Sequence, residues 1–343
     1  MNTEPLRRGI NMDHMFMPYR RSRDPVTEAE WKGMEDSLNP AEYAAAAGCG
    51  FSHIRLCLGR DFLQSRTPPY GLHERGFDLM FRSTDMARKA GLAVILDLHE
   101  LTAPEFKKEP GLVEPFIAFW REMAKRCRHL PADVFYGLLN EPVTADPALW
   151  KGIVTRAVAA IRDADSDRPV IVAGDGWGSL ASLVALGELG LPNIIYDFHF
   201  YDPFIFTHQG AGWGSPSLKP IHGIDYPMDK PAFAKAWDEF KKTGLDDWPF
   251  REYEKIPDKE GLARRMAPVI EWGRKTGLPL YCGEFGVRRD GAPVTVRARW
   301  TRDVRSILEE AGVPWALWSY HSGFDLFDRE NNPDRVMLEA LGL

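Results

Sequence analysis

The sequence predicts an α/β fold: a single (β/α)8 barrel, the TIM-barrel architecture, spanning residues 1–343 with an extended loop after the sixth strand. Two observations carry this expectation. Eight short apolar runs alternate with helical patterns along the chain, as in a parallel sheet buried on both faces. Polar and charged residues recur at the C-terminal ends of those runs, where barrel enzymes gather their chemistry. A length of 343 residues accommodates one such domain.

The apolar runs follow in order. The first is Gly9-Ile10-Asn11-Met12, the second Ser52-His53-Ile54-Arg55-Leu56 and the third Ala93-Val94-Ile95-Leu96-Asp97-Leu98. The fourth, Val134-Phe135-Tyr136-Gly137-Leu138-Leu139, leads into Asn140-Glu141-Pro142, and the fifth is Pro169-Val170-Ile171-Val172-Ala173. Ile194-Ile195-Tyr196-Asp197-Phe198-His199 is the sixth. Leu278-Pro279-Leu280-Tyr281-Cys282, leading into Gly283-Glu284-Phe285-Gly286, is the seventh, and Pro314-Trp315-Ala316-Leu317-Trp318-Ser319 the eighth.

Helical patterns cover Pro40 to Ala47, Phe77 to Lys89, Pro115 to His129, Ala148 to Asp163, Leu262 to Lys275 and Val296 to Ala311. Gly48, Gly91, Gly277 and Gly312 follow four of them and are expected as left-handed caps. The segment from Tyr201 to about Lys259 holds Trp213, Trp237, Trp248, Pro216, Pro220, Pro227 and Pro231 and reads as a long functional excursion over the barrel mouth. The rival fold, an open doubly wound sheet, wants a Gly-rich phosphate turn after the first strand, and Asn11-Met12-Asp13-His14 is not one.

Composition narrows the function classes. Net charge is −6 with acidic and basic residues interleaved, so no basic stripe marks a nucleic-acid partner. No apolar stretch reaches the ~18 residues of a transmembrane helix, and no membrane association is expected. Cys49, Cys57, Cys127 and Cys282 lack the spacing of a zinc site and are expected as free thiols. No cofactor or metal is implied, and a monomer is expected. The opening Met1-Asn2-Thr3-Glu4-Pro5-Leu6-Arg7-Arg8 has no signal-peptide pattern. The expectation is a secreted or periplasmic protein whose leader has been removed, or otherwise a cytoplasmic one. The 11 Trp, 10 Tyr and 19 Phe exceed what a core needs and suggest rings lining a sugar cleft.

In a barrel, Arg55, His99, Asn140, Glu141, His199, Tyr201, Glu284 and Trp318 converge on one face. Taken singly, each has a structural reading: a cap, an ion pair, a satisfied core histidine, a packed Trp. Taken together they form the paired carboxylates of glycoside hydrolysis, which needs a general acid beside the leaving oxygen and a second carboxylate below the anomeric carbon. Glu284 is the better nucleophile, with Arg55 to hold it ionised and Tyr201 to hydrogen-bond it. Glu141 is the better acid/base, tuned by His199, with Asn140 to hold the sugar 2-hydroxyl. Trp318 would form an apolar floor. Trp177 and Trp213, flanked by Gly174, Gly176, Gly178 and by Gly210, Gly212, Gly214, are candidate sugar platforms on exposed loops. Asp13, His14, His208, Gln209 and His321 are softer candidates for hydroxyl contacts.

The chain resembles family 5 glycoside hydrolases of the cellulase type, within the large clan of retaining barrel glycosidases. The resemblance rests on Phe51-Ser52-His53-Ile54-Arg55-Leu56, Ile95-Leu96-Asp97-Leu98-His99, Leu139-Asn140-Glu141-Pro142, His199-Phe200-Tyr201, Gly283-Glu284-Phe285-Gly286 and Ala316-Leu317-Trp318, nearly the whole chain. It implies Glu141 as acid/base, Glu284 as nucleophile, and Arg55, His99, Asn140, His199, Tyr201 and Trp318 around them. Two departures bear on the glycan: Glu100 follows His99 where many relatives carry His or Asn, and the segment from Tyr201 to Trp213 matches only a subset of bacterial members.

The expected activity is a retaining endo-β-1,4-glucanase acting on β-glucan oligosaccharides or polysaccharides. Other β-glycans (mixed-linkage or β-1,3-glucan, mannan, xylan) and an exo-acting mode are the alternatives. Two other classes compete with it: a glycan-binding barrel without catalysis, against which intact Glu141, Glu284 and Arg55 argue, and a metal-dependent hydrolase using Asp97, His99 and His199, which lacks a His-x-His pair.

Overall fold

A computed structural model describes residues 3–13, 26–65, 67–99 and 106–343. Its eight strands are β1 (Arg8–Met12), β2 (His53–Leu58), β3 (Ala93–Leu98), β4 (Val134–Gly137), β5 (Val170–Ala173), β6 (Ile194–Phe200), β7 (Leu280–Phe285) and β8 (Trp315–Leu317). Each pairs in parallel with its sequence neighbour, and β8 closes on β1 through Arg8 opposite Trp315 and Ile10 opposite Leu317. Closure excludes the open doubly wound sheet. The seventh run sits later than expected: Glu284 lies inside β7, and Arg55 lies inside a longer β2.

The helices are α1 (Glu28–Ser37), α2 (Pro40–Gly48), α3 (Glu74–Lys89), α4 (Val113–Cys127), α5 (Pro147–Arg162), α6 (Leu180–Leu186), α7 (Phe204–Thr207), α8 (Lys230–Lys241), α9 (Trp248–Lys255), α10 (Lys259–Thr276), α11 (Val294–Glu310) and α12 (Arg335–Leu341). Gly91, Gly277 and Gly312 take positive φ as expected. Gly48 does not: α2 runs through it, and Gly50 is the left-handed residue, at φ 95°. The long excursion carries the helices α7, α8 and α9. Its helices α8 and α9 share an aromatic core of Phe233, Trp237, Phe240, Phe250 and Tyr253, and Tyr226 bonds Asp303 of α11 at 2.8 Å.

Alternation along the strands sorts the core into two shells. Leu6, Ala93, Ile95, Phe135, Ile171, Ile195, Tyr281 and Ala316 fill the barrel interior, while the intervening residues pack outward against the helices. The inward row changes character along each strand. On β3 it reads Ala93, Ile95, Asp97; on β6, Ile195, Asp197, His199. The lower layers are apolar and the upper layers polar, so the mouth is prepared for chemistry by strand sequence itself.

One lower-layer contact is polar. His53 Nε2 lies 2.8 Å from the Tyr281 hydroxyl across the barrel. Burial, with the Arg55 charge adding to it, pushes the His53 pKa down to about 3, so the ring is neutral. Its room comes from Gly9, where a Cβ would fall 2.1 Å from His53 Nε2. Gly9→Ala is therefore expected to destabilise the fold by about 1–3 kcal/mol through overpacking. Chemical denaturation checks this, and an unchanged midpoint would mean that the ring can move aside.

Candidate active site

Arg55 is the hub of the mouth. Its side chain is 1% exposed. Nη1 donates to Asn11 Oδ1 at 2.9 Å and to Glu284 Oε1 at 2.8 Å, and Nη2 donates to Asn140 Oδ1 at 2.6 Å and lies 3.0 Å from Asp97 Oδ2. Burial opposes its charge, but Asp97 and Glu284 outweigh burial and hold the guanidinium charged. Asn11 passes the linkage on: its amide donates to the carbonyls of Gly283 (2.9 Å) and Leu317 (3.2 Å).

Glu284 reaches the mouth through a break in alternation. Cys282 and Phe285 both belong to the outer core although two residues lie between them, a spacing that strict alternation would put on opposite faces, and the β6–β7 register shifts so that His199 faces Glu284. A bulge of this kind re-aims a side chain. The Gly283 amide donates to Asp197 Oδ1 at 2.8 Å, and a Cβ on Gly283 would fall 2.7 Å from that carboxylate. Glu284 is 4% exposed. Its Oε2 accepts from the Tyr201 hydroxyl at 2.8 Å. Burial, reinforced by the Glu284 charge, raises the Tyr201 pKa well above its usual value, so the phenol stays a donor.

Glu141 differs in every respect. Its side chain is 31% exposed, and its Oε1 lies 2.9 Å from His199 Nδ1. His199 also stands 3.7 Å from Glu284 Oε2, and its Nε2 is 3.6 Å from Asp197 Oδ2, too long for a hydrogen bond. Burial pushes the His199 pKa down, but Glu284, Asp197 and Glu141 together raise it well above the ordinary value. The ring is an imidazolium, and Nδ1 donates to Glu141. One ligand-competent oxygen from each of Glu141 and Glu284 lies within 4.8 Å of the other.

His99 Nδ1 sits 3.0 Å from Asp97 Oδ2, and its ring stacks on Trp318 at 5.3 Å between centroids. All eight residues expected at the strand ends thus surround one mouth. Trp177 and Trp213 are exposed at 65% and 72%. Trp177 adjoins Gly178, which packs against the His199 ring. Trp213 meets His208 edge-on, and His208 stacks flat on Phe204 at 4.0 Å.

The softer candidates fare differently. Gln209 is buried and its amide is spent on the Phe206 and Ile224 backbone, so it holds the loop together. His208 is buried, its pKa pushed down to about 3 by burial and then by Arg288, and it supports Trp213. His321 packs edge-on against Tyr320. Asp13 is buried at the end of β1, and His14 lies outside the described residues.

Among the described residues, two clusters bring metal-competent atoms together: Cys57, Asp97 and His99, and Glu141, His199 and Glu284. The donor chemistry fits neither for an ion. Asp97 already binds Arg55 and His99, the Cys57 thiol is pushed well up by burial and so is protonated, and the second cluster contains an imidazolium.

The family model for cellulase (glycosyl hydrolase family 5) matches residues 23–323. The chain belongs to glycosyl hydrolase family 5. Endoglucanase C of Acetivibrio thermocellus is 30% identical to this family 5 chain over 297 residues, 84% of this chain and 85% of that protein. A hyperthermophilic endo-β-1,4-glucanase solved in complex with substrate has a TM-score of 0.79 and 26% identity, covering 99% of this chain and 98% of that one. The Thermotoga maritima Cel5A complex with cellobiose likewise has a TM-score of 0.79 and 26% identity, covering 98% of both chains. Family 5 membership makes the protein a glycoside hydrolase with an oligosaccharide substrate.

The charged His199 makes stability depend on pH. Its folded-state pKa is raised above the ordinary 6.5, so its contribution is complete below that value and is lost as pH rises through the raised one. Melting temperature is expected to fall between about pH 6.5 and pH 9, below the range where ordinary Tyr and Lys titrate. His199→Asn should flatten that slope. An equal slope in the variant would place the titration elsewhere.

Proposed function

We propose that this protein is a retaining endo-β-1,4-glucanase, acting as a monomer without cofactor and with residues 1–343 as one catalytic unit. The observation that carries the proposal is the approach of Glu141 and Glu284 to within 4.8 Å in two unlike environments. Retaining pairs stand about 5–5.5 Å apart, whereas inverting pairs leave about 6.5–9.5 Å for a water molecule. The β-1,4-glucan preference is supported by the likeness to endoglucanase C and to the β-1,4-glucanase solved with substrate.

Each role follows from the surroundings. Glu284, held by Arg55 at one oxygen and Tyr201 at the other, is aimed as a nucleophile must be. Glu141, open to the cleft, gives its proton to the leaving oxygen while Glu284 bonds to the anomeric carbon and the glycosidic bond breaks. Glu141, now a carboxylate, takes a proton from water; the water oxygen bonds to the anomeric carbon, and Glu284 leaves as carboxylate. His199 Nδ1, 2.9 Å from Glu141 Oε1, holds the Glu141 carboxyl in place through both steps. Asn140 gives its carbonyl to Arg55 and so presents its NH2 to the sugar 2-hydroxyl. Trp318, backed by His99, floors the reacting sugar. Trp177 and Trp213 offer flat faces to neighbouring sugars.

Product analysis on carboxymethyl-cellulose, barley glucan, laminarin, mannan and xylan tests the proposal. A ladder of oligosaccharides from the first two is expected, with Glu284→Gln slower by roughly 10⁴-fold or more. Release by the variant at the wild-type rate, or release from laminarin, mannan or xylan alone, would overturn it.

A further inference from the structure

The loop after β5, Gly174-Asp175-Gly176-Trp177-Gly178, grips the loop that carries Glu141. Asp175 is 6% exposed. Its carboxylate accepts three hydrogen bonds from the neighbouring loop: from the Thr144 amide to Oδ1 at 2.6 Å, and from the Thr144 hydroxyl (2.9 Å) and the Asp146 amide (3.0 Å) to Oδ2. Between those two donors, Ala145 is held at φ 52°. A non-glycine residue keeps that left-handed backbone only when its surroundings impose it. Next along the loop, the amides of Gly176 and Trp177 both donate to the Pro142 carbonyl, at 2.7 and 3.2 Å.

The same loop holds the other side of the site. The Gly178 carbonyl accepts from the His199 amide at 2.8 Å, and a Cβ on Gly178 would meet the His199 ring at 3.3 Å. The loop therefore spans Glu141 and His199, the pair joined at Nδ1 and Oε1. Where the Glu141 backbone gets its rigidity is the deciding point. The sheet-side hydrogen bonds of this segment run to Asn140, whose amide donates to the Leu98 carbonyl. Beyond it the chain leaves the ladder, and the next holds are Asp175 and the amides that follow it.

We propose that Asp175 is a positioning residue for general acid catalysis: it fixes the backbone of residues 142–146 so that the Glu141 carboxyl meets the leaving oxygen. This rests on the assignment of Glu141 as acid/base. A misplacement of this kind acts on proton transfer and spares the rest of the reaction. A purely structural Asp175 would lower stability and leave the dependence on leaving group untouched.

The test compares kcat/KM on two aryl β-cellobiosides. Phenyl cellobioside needs protonation of its leaving group; 2,4-dinitrophenyl cellobioside does not. Asp175→Ala is expected to lose roughly 10- to 100-fold on the phenyl substrate and less than about 3-fold on the dinitrophenyl one. Asp334→Ala, which removes the cap of the distant α12, serves as a control: it lowers the melting temperature without changing the ratio of the two rates. Equal losses on both substrates, or none on either, in a folded Asp175→Ala protein would overturn the proposal. If that variant does not fold, Thr144→Val, which removes one of the three hydrogen bonds, is expected to move the same ratio in the same direction, and an unmoved ratio overturns the proposal. Glu141→Ala is measured alongside. If it too loses equally on both substrates, the acid/base assignment itself fails; if it shows the leaving-group pattern and Asp175→Ala does not, only the positioning role fails.

Discussion

The site depends on a guanidinium buried in the barrel. Removing a charge from water costs several kcal/mol unless partners and hydrogen bonds surround it. Arg55 meets that requirement with groups from four strands or their ends: Asn11 on β1, Asp97 on β3, Asn140 after β4 and Glu284 on β7. None of these can be withdrawn without exposing the rest, since a lone buried charge costs more than an intact pair contributes. The barrel brings the strands together, and Arg55 settles where their polar ends stand relative to one another. The position of the Glu284 carboxylate follows from that mutual constraint.

Two glutamates of identical chemistry then acquire different surroundings. Glu284 is enclosed, with one oxygen on Arg55 and the other on Tyr201. Glu141 stands at the rim with His199 beside it. His199 lies between them and carries a charge because three carboxylates outweigh its burial. It lowers the repulsion that two close carboxylates would otherwise feel. Asp197 serves both sides: it accepts the Gly283 amide at the bulge that turns Glu284 inward, and its charge faces His199.

Much of this was legible in the sequence, and the reasons for the remainder are physical. A parallel strand buried on both faces leaves an uninterrupted apolar run, so the eight strands could be read, and polar residues recurring at the ends of several such runs point jointly to chemistry where each alone would not. That is why Glu141, Tyr201, Glu284 and Trp318 stood out. Asn11 and Asp197 did not, because each sits within a strand whose apolar neighbours dominate the pattern; only the closed barrel reveals that they face inward. Asp175 was hidden in a Gly-rich loop that drew attention to its Trp. The bulge on β7 breaks the period on which strand reading relies, so the run was placed too early. The helices of the 201–259 excursion were masked by proline and tryptophan, although Pro231 and Pro249 open α8 and α9, where proline is favoured. Helix α1 lies outside the helical patterns read from the sequence, although Thr27 and Glu30, which form a capping box in the structure, are the signal that could have found it.

In the proposed double displacement Glu284 forms a bond to the sugar. A 2-fluoro cellobioside with a good leaving group tests it most directly, because the fluorine slows breakdown of any glycosyl-enzyme more than its formation. Mass spectrometry of the treated protein should show one added 2-fluoro cellobiosyl group, carried by the peptide containing Glu284, with activity lost in step. A label on another residue would move the nucleophile elsewhere. No label, together with products of inverted anomeric configuration, would contradict the double displacement altogether.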